Sequence, residues 1–242
     1  TEPLAAASIA QVYRACLSDG TDVVIKVRRP GIRSTIEADL RLLQRLAAII
    51  EAEAPELRRF RPREVVRQFT LSLRRELDLA TECRNAERIA ENFKDHPEIV
   101  IPKVDWQWSG ENLNVQEFID GIPGRDLEAI EEAHLDRRSL ARQGVQAVLK
   151  MIVEDGFFHA DPHPGNMFYL KDGRIALIDF GMVGNLSEER RNQLIDLLQG
   201  LIERQADRVV EVLIDWAAGV KVDMQALTIE IDAFIDQYHG LA

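Results

Sequence analysis

The chain lacks the features that mark secreted, disulfide-bonded or membrane-spanning proteins. Cys16 and Cys83 are its only cysteines and neither lies in a C-x-x-C motif, which argues against a disulfide framework and favours a reducing compartment. No run of about 18 apolar residues is present that could cross a bilayer. A signal peptide is also absent and the chain opens at Thr1, so we expect a piece of a longer protein. The predicted location is cytoplasmic, or membrane-associated on a reducing side, which includes an organelle.

An excess of positive charge is also missing. The 242 residues include 30 Lys and Arg against 41 Asp and Glu, which gives a formal net charge of −11. Because nucleic-acid binding depends on cations that neutralise phosphates, no nucleic-acid partner is predicted. The composition is 46% hydrophobic and 29% charged, as in ordinary globular proteins. The chain is therefore large enough for one core or for a two-lobed one.

The stretch from Phe157 to Gly181, FFHADPHPGNMFYLKDGRIALIDFG, carries most of the groups suited to chemistry. Its two short apolar runs, MFYL and IALI, are separated by a Gly-containing turn and predict a tight hairpin. Asn166 and Asp179 would lie at the open end of that hairpin, close to Asp161. Two carboxylates and an amide oxygen are hard ligands, so this arrangement predicts Mg²⁺ held jointly by protein and nucleotide phosphates.

The spacing in this stretch also matches the kinase pattern. There a catalytic Asp is followed five positions later by a metal-binding Asn and then by D-F-G. Asp161 would orient or deprotonate the nucleophile, Asn166 and Asp179 would hold the metal, and Gly181 would let the chain turn. A metal-hydrolase cluster that includes His159 and His163 is the rival interpretation. The prolines between these residues weaken it, because they deny the helical face that an H-E-x-x-H site needs.

A run of small residues at the N-terminus predicts a second part of the site. Ala5, Ala6, Ala7 and Ser8 precede a predicted hairpin, and such a loop lets backbone N–H groups approach phosphate, although a Cβ penalises φ > 0. Lys26 lies in the second strand of that hairpin, VVIKV, among apolar residues. Burial without a partner would cost several kcal/mol, so nucleotide phosphates and a carboxylate are its expected partners. An edge-strand Lys that reaches water is the alternative.

Two long helices are expected after this strand, at residues 32–53 and 62–93. The first shows an apolar stripe of Leu40, Leu43, Leu46, Ala47 and Ile50. The second contains Glu76, Asp78 and Glu82, one of which is the expected counter-charge for Lys26.

A hairpin of residues 99–108 and 112–118 should follow, and it should end in a linker-like turn at residues 120–124. The backbone of Glu117 and Ile119 is the predicted adenine site, because alternate polar groups of an extended chain point the same way. Residues 1–119 are then an N-terminal lobe with an antiparallel sheet, and residues 120–242 a mainly helical C-terminal lobe. The predicted fold class is α+β, a two-lobed protein-kinase-like fold.

The segment after Gly181 is short. Five residues separate it from Ser187, a candidate N-cap followed by two glutamates in the first turn of a helix. No A-P-E motif follows, so a platform that docks an extended peptide has no room to form. A protein substrate is therefore disfavoured.

Taken together, these motifs resemble the UbiB-like family of atypical kinases, the aarF-domain group linked to ubiquinone and isoprenoid-lipid metabolism. The resemblance spans nearly the whole chain. Its most specific pieces are the Ala-rich loop, the triplet Glu76-Leu77-Asp78 and the octet HADPHPGN from His159 to Asn166.

The resemblance implies binding of ATP and Mg²⁺ with ATP hydrolysis, and it disfavours protein phosphorylation. Lys26 would be the nucleotide-binding lysine and Glu82 its ion-pair partner. Glu76 and Asp78 would face an N-terminal extension that carries a Lys-x-Gly-Gln motif, which this sequence does not contain. Lipids, quinone-pathway intermediates or proteins are the further partners that it implies, and membrane association would depend on segments outside this chain.

Two alternatives stay open. A small-molecule phosphotransferase of the aminoglycoside or choline kinase type also lacks a long segment after D-F-G. A non-enzymatic, ATP-gated lipid-binding scaffold is the other, since alanines replace the usual glycines of the phosphate loop.

Overall fold

The structure is a computed structural model that describes residues 3–6, 9–217 and 222–239. Within these residues the chain forms ten short strands and eight α-helices. The strands are β1 (Ala5–Ala6), β2 (Ala10–Cys16), β3 (Asp22–Arg28), β4 (Ile99–Val100), β5 (Leu113–Glu117), β6 (Ile122–Pro123), β7 (Phe157–His159), β8 (Met167–Tyr169), β9 (Ile175–Leu177) and β10 (Val183–Asn185). The helices are α1 (Ile32–Glu53), α2 (Pro62–Glu76), α3 (Leu79–Asn92), α4 (Leu127–Glu132), α5 (Arg137–Leu149), α6 (Glu188–Ile202), α7 (Ala206–Trp216) and α8 (Met224–His239).

The chain divides into two compact units. The first comprises Thr1–Val145 and His159–Val183, and the second comprises Gln146–Phe158 and Gly184–Ala242. The lobe boundary that the sequence predicts after residue 119 falls inside the first unit and stays a prediction. All residues of the predicted site belong to the first unit. No helix in the described ranges combines the length and the apolar character needed to span a membrane.

The N-terminal sheet is antiparallel, with strand order β1-β2-β3-β5. The hairpin of β2 and β3 is confirmed, and Gly20 in its turn has a φ of 90°, which a residue without Cβ adopts readily. Lys26 pairs with Val12 on one side and with Asn114 on the other. Lys26 is therefore on a central strand, and the edge-strand alternative is wrong.

The predicted hairpin of residues 99–108 with 112–118 is only partly correct. Ile99 and Val100 form β4, which pairs parallel with β9 in a different sheet. Pro102 follows β4 and has no N–H to continue a ladder. A single antiparallel bridge between Val104 and Gln116 then joins this segment to β5.

The predicted helix at residues 62–93 is in fact two helices, α2 and α3. The chain breaks at Asp78, whose backbone is extended with φ −104° and ψ 94°. The Asp78 carboxylate accepts hydrogen bonds from the backbone N–H of Ala80 at 3.1 Å and from the Thr81 hydroxyl at 2.7 Å. Asp78 is thus the N-cap of α3 and marks the start of a second helix.

The second sheet has the order β4-β9-β8-β6 and contains the predicted hairpin of β8 and β9. Met167 pairs with Leu177, so Asn166 and the residues after Leu177 lie at the same end of the hairpin. β9 is buried along its length. This hairpin is confirmed, and it brings the two acid-bearing turns to one edge.

In the second unit, α5 ends in a π-helical turn at Lys150–Glu154 that leads to β7. The predicted N-cap of α6 is confirmed, since the Ser187 hydroxyl accepts the N–H of Arg190 at 3.3 Å. Helices α6, α7 and α8 follow in sequence, as the periodicity predicts.

Candidate functional site

A buried ion pair lies at the centre of the site. The Nζ of Lys26 is 2.8 Å from Oε2 of Glu82, with 16% and 6% of the two side chains exposed. Burial alone would lower the pKa of the Lys26 ammonium, but the carboxylates of Glu82 and Asp179 outweigh burial and raise it. Burial raises the pKa of the Glu82 carboxyl, which Lys26 opposes. The sequence offered three acids, Glu76, Asp78 and Glu82, as the counter-charge for Lys26. The structure shows that Glu82 is the one that pairs with it.

The secondary structure explains how these two side chains meet. Central strand β3 projects Lys26 toward α3, and Glu82 lies in the first turn of α3 on its buried face. Asn114, opposite Lys26 on β5, also hydrogen-bonds Glu82 and favours its ionised form. No local motif marks Asn114 in the sequence; only the strand register reveals it.

The loop that carries Asp161 is held by its own side chains. The Nδ2 of Asn166 donates to the Asp161 carbonyl at 3.1 Å and lies 3.4 Å from its Oδ2. Pro162 and Pro164 restrict the loop, and a short 3₁₀ turn at Pro164–Asn166 leads into β8. The amide nitrogen of Asn166 is therefore committed to the loop, and its amide oxygen remains for another ligand.

His159 joins this loop to the D-F-G segment. Its Nδ1 accepts the backbone N–H of Asp161 at 3.1 Å, and its Nε2 lies 3.0 Å from the carbonyl oxygen of Ile178. These contacts place the ring proton on Nε2. The ring is buried and lies 5.3 Å from the ring of Phe180. His159 thus has a structural role in the site and is not free to bind metal.

Asp179 has an unusual backbone conformation. Its φ is 61°, in the left-handed region that non-glycine residues adopt rarely and that occurs at functional sites. Its Oδ1 lies 3.3 Å from Nζ of Lys26 and accepts the N–H of Gly181 at 3.4 Å. Fully buried Phe180 anchors the turn, and Asn85 donates to its carbonyl at 2.9 Å. The Asp179 carboxylate is thereby held beside Lys26.

The oxygen ligands of this arrangement fit Mg²⁺. Asn166 uses its Nδ2 within the loop, so its Oδ1 is available to a metal ion. Asp179 presents a half-exposed carboxylate. Both are hard oxygen ligands, which magnesium prefers. Across the described ranges no group of three or more His, Cys, Asp or Glu residues could hold a metal ion by itself. The residues therefore fit a cation that shares its remaining ligands with phosphate and water, and they do not form a zinc-type cage.

A cavity of about 170 Å³ connects these groups. Its lining includes five carboxylates and two cations, Lys26 and Arg75. The lining residues are Ile9, Lys26, Arg75, Glu76, Asp78, Glu82, Asp161, Asp179, Gly181 and Met182. Glu76 and Asp78 thus face the same cavity as Asp161. Asp78 also lies 3.1 Å from the guanidinium of Arg84, so it is engaged as a cap and in an ion pair.

Among the described residues of the predicted phosphate loop and adenine site, Ala5, Glu117 and Ile119 do not line this cavity. Ala5 and Ala6 form β1, while Ala7 and Ser8 lie outside the described residues. Glu117 ends β5 and donates its N–H to the Lys103 carbonyl at 2.9 Å. A base could therefore use the carbonyl oxygen of Glu117 but not its N–H. The roles predicted for Glu117 and Ile119 stay predictions.

Comparisons with known proteins agree on the type of domain. A family model described as "ABC1 atypical kinase-like domain" matches residues 1–213. A protein named "Probable protein kinase UbiB" from Pectobacterium carotovorum subsp. carotovorum (strain PC1) is 40% identical over 219 residues, which cover 88% of this chain and 40% of that protein. Its namesake from Klebsiella pneumoniae (strain 342) is 41% identical over the same shares. The chain thus spans about two fifths of the length of these relatives.

A solved structure is also similar. It is titled "The complex structure of Rv3197-erythromycin from Mycobacterium tuberculosis" and superimposes with a TM-score of 0.73 at 29% identity, covering 98% of this chain and 59% of that chain. Together with the antiparallel N-terminal sheet and the many helices, this likeness confirms the predicted fold class.

Proposed function

Because this chain belongs to the family of ABC1 atypical kinase-like domains, we propose that it binds Mg-ATP and catalyses phosphoryl transfer or ATP hydrolysis. One observation carries the proposal. Lys26, paired with Glu82 at 2.8 Å and 3.3 Å from Asp179, faces the cavity that Asp161 also lines. Phosphoryl transfer requires a cation for the phosphates, a carboxylate that can bind the metal and a base for the nucleophile. All three groups lie around this one cavity.

Each residue has a distinct role in this proposal. The ammonium of Lys26 binds the phosphates, and Glu82 fixes its direction. Asn166 and Asp179 would hold Mg²⁺, which supplies charge neutralisation for the phosphates. Asp161 accepts a proton from the attacking hydroxyl or water. Ala5 to Ser8 approach the phosphates, and Glu117 and Ile119 receive the base.

The proposed biological context is ubiquinone or isoprenoid-lipid metabolism. It rests on the relatives named UbiB and on the family motifs in this chain. Protein phosphorylation is disfavoured, because only five residues separate Gly181 from the N-cap of α6 at Ser187. Nucleotide is the first partner, and a lipid or quinone-pathway intermediate is the proposed second one, with peripheral membrane association through segments outside this chain.

Nucleotide binding with and without Mg²⁺ tests the proposal. Calorimetry should give Mg²⁺-dependent ATP affinity that falls at least about tenfold in Asp179→Asn, the loss expected when a metal ligand's charge is removed. Asp172→Asn is the matched control, because Asp172 is an exposed turn residue whose hydrogen-bond partner within the described ranges is Arg174. Affinity that is independent of Mg²⁺, or equal in Asp179→Asn and wild type, would refute the proposal. ATP turnover unaffected by Asp161→Asn would favour a non-enzymatic, lipid-binding scaffold gated by ATP.

A small-molecule phosphotransferase is the second candidate. The observation that favours it is the similar structure, whose title describes a complex with erythromycin, a small molecule. A screen for phosphorylation of hydroxyl-bearing metabolites and antibiotics tests it. A product that gains phosphate in an Asp161-dependent manner would favour this candidate over lipid metabolism.

A further inference from the structure

His163 is fixed in place by the prolines on either side of it. Pro164 restricts the preceding residue to extended conformations, and His163 has φ −77° and ψ 159°. Its N–H donates to the Asp161 carbonyl at 2.9 Å, and its own carbonyl accepts the N–H of Asn166 at 2.9 Å. The backbone of His163 therefore lies midway between the candidate base and a candidate metal ligand.

The imidazole of His163 has one orientation that the next turn dictates. Its Nδ1 accepts the backbone N–H of Gly165 at 2.9 Å. A Cβ at Gly165 would lie 2.4 Å from Cε1 of the ring, so only glycine leaves room for this arrangement. Because Nδ1 acts as the acceptor, the neutral ring carries its proton on Nε2.

The proton-bearing nitrogen faces Asp161. The distance from Nε2 of His163 to Oδ2 of Asp161 is 3.6 Å, and Nδ2 of Asn166 is 3.4 Å from the same oxygen. In the part of the chain that the structure describes, Oδ1 of Asp161 accepts no hydrogen bond. Catalytic hydrogen bonds are often this long in unliganded enzymes and shorten when substrate binds. One carboxylate oxygen thus faces two donors from its own loop, and the other is left for substrate.

We propose that His163 is a positioning residue that, together with Asn166, holds Oδ2 of Asp161 so that Oδ1 points to the attacking group. The inference rests on the proposed function. As the attacking oxygen forms its bond to the γ-phosphorus, its proton moves to Oδ1 of Asp161. The bond from the γ-phosphorus to the bridging oxygen breaks, and its electron pair leaves with ADP.

Two substitutions separate this role from a purely structural one. His163→Gln places an amide nitrogen near the position of Nε2 and loses the acceptor for Gly165, whereas His163→Asn keeps an acceptor near Nδ1 and loses the donor toward Asp161. Asn is also a good N-cap residue, so the turn should survive in that variant.

The proposal predicts opposite behaviour for these variants in single-turnover ATP hydrolysis. His163→Asn should lower the rate about tenfold, the worth of one hydrogen bond made in the transition state, without changing Mg-ATP affinity. His163→Gln should stay within about threefold of wild type. Thermal unfolding of both variants reports any loss of the turn. Equal hydrolysis rates in the wild type and both variants would overturn the proposal. A lower rate in His163→Gln together with a wild-type rate in His163→Asn would overturn it as well.

A measurement without turnover tests the contact itself. ¹⁵N-detected imidazole spectra of the wild type should show His163, assigned by its absence from His163→Gln, as the Nε2–H tautomer. The Nε2 resonance should move in Asp161→Asn and stay unchanged in the control Asp172→Asn. An Nδ1–H tautomer, or no response to Asp161→Asn, would refute the contact. Absence of Mg-ATP binding by the wild type would refute the proposed function instead, and the tautomer would still decide whether His163 faces Asp161.

Discussion

Replacing Lys26 by Met should destabilise the fold by leaving the Glu82 carboxylate buried without its cation. The pair is 2.8 Å apart, with 16% of Lys26 and 6% of Glu82 exposed, so solvent screens it little. Removing one partner of a buried ion pair costs about 3–5 kcal/mol, and the remaining exposure of Lys26 places the expected loss near 3 kcal/mol. Asp179 adds to the loss, because its like charge also raises the pKa of Glu82.

Urea unfolding followed by tryptophan fluorescence and far-UV circular dichroism measures this loss. Lys26→Met, Glu82→Gln and the double variant form a cycle whose coupling energy should be about 2–3 kcal/mol at pH 7.5. Lys94→Met is the matched control, because the Lys94–Glu91 pair is exposed and screened by solvent, so its loss should leave the unfolding free energy close to that of the wild type.

The pH dependence has a definite sign. The folded-state pKa of Glu82 lies above its ordinary value of 4.5, so the folded protein takes up this proton before the unfolded chain does as pH falls. Protonation of Glu82 removes the uncompensated charge. The loss of unfolding free energy in Lys26→Met, relative to the wild type, should therefore become smaller as the pH falls from 7.5 to 5.5. A stability for Lys26→Met within about 0.5 kcal/mol of wild type at pH 7.5, or a deficit that grows on acidification, would refute the reasoning.

Two further predictions concern Cys83 and Asp78 of the first unit. Burial raises the pKa of the Cys83 thiol to about 11, whereas Cys16 is exposed. A thiol reagent at pH 8 should therefore modify one cysteine per native chain and two after unfolding. Rapid modification of both cysteines in the native protein would contradict the burial of Cys83. Asp78→Ala should lower the unfolding free energy by about 1–2 kcal/mol through loss of the α3 N-cap, and Asp78→Ser should recover most of it, as urea unfolding can measure; equal losses in both variants would argue against a capping role.

The spacing of residues along the chain predicted those parts of the site whose residues are close to one another in sequence. The turn of Asp161 to Asn166, the hairpin after it and Asp179 all lie within one short stretch, so turn chemistry and strand alternation suffice to bring them together. The central position of Lys26 follows likewise from two adjacent apolar strands.

Long-range contacts were less accessible from the sequence. Apolar periodicity continues through Asp78, so the pattern predicted one helix where a side-chain cap begins a second. Ile99 and Val100 look like hairpin residues, but their pairing partner in β9 is distant in sequence.

The apolar stripe of α1 shows a further limit of periodicity. Leu40 and Ala47 are buried as predicted, whereas Leu46 is 50% exposed. Periodicity identifies an apolar face without stating what covers it.

The imidazole of His159 has a consequence for motion within the first unit. It links the loop of Asp161 to the segment of Ile178 to Phe180 by bonding the backbone of both, and the N–H of Ile178 adds a second link by donating to the carbonyl of Asn166 at 2.9 Å. The two segments must therefore open and close as one body. Their amide protons should exchange with solvent at a shared rate, and a ligand that holds either segment should slow exchange in the other.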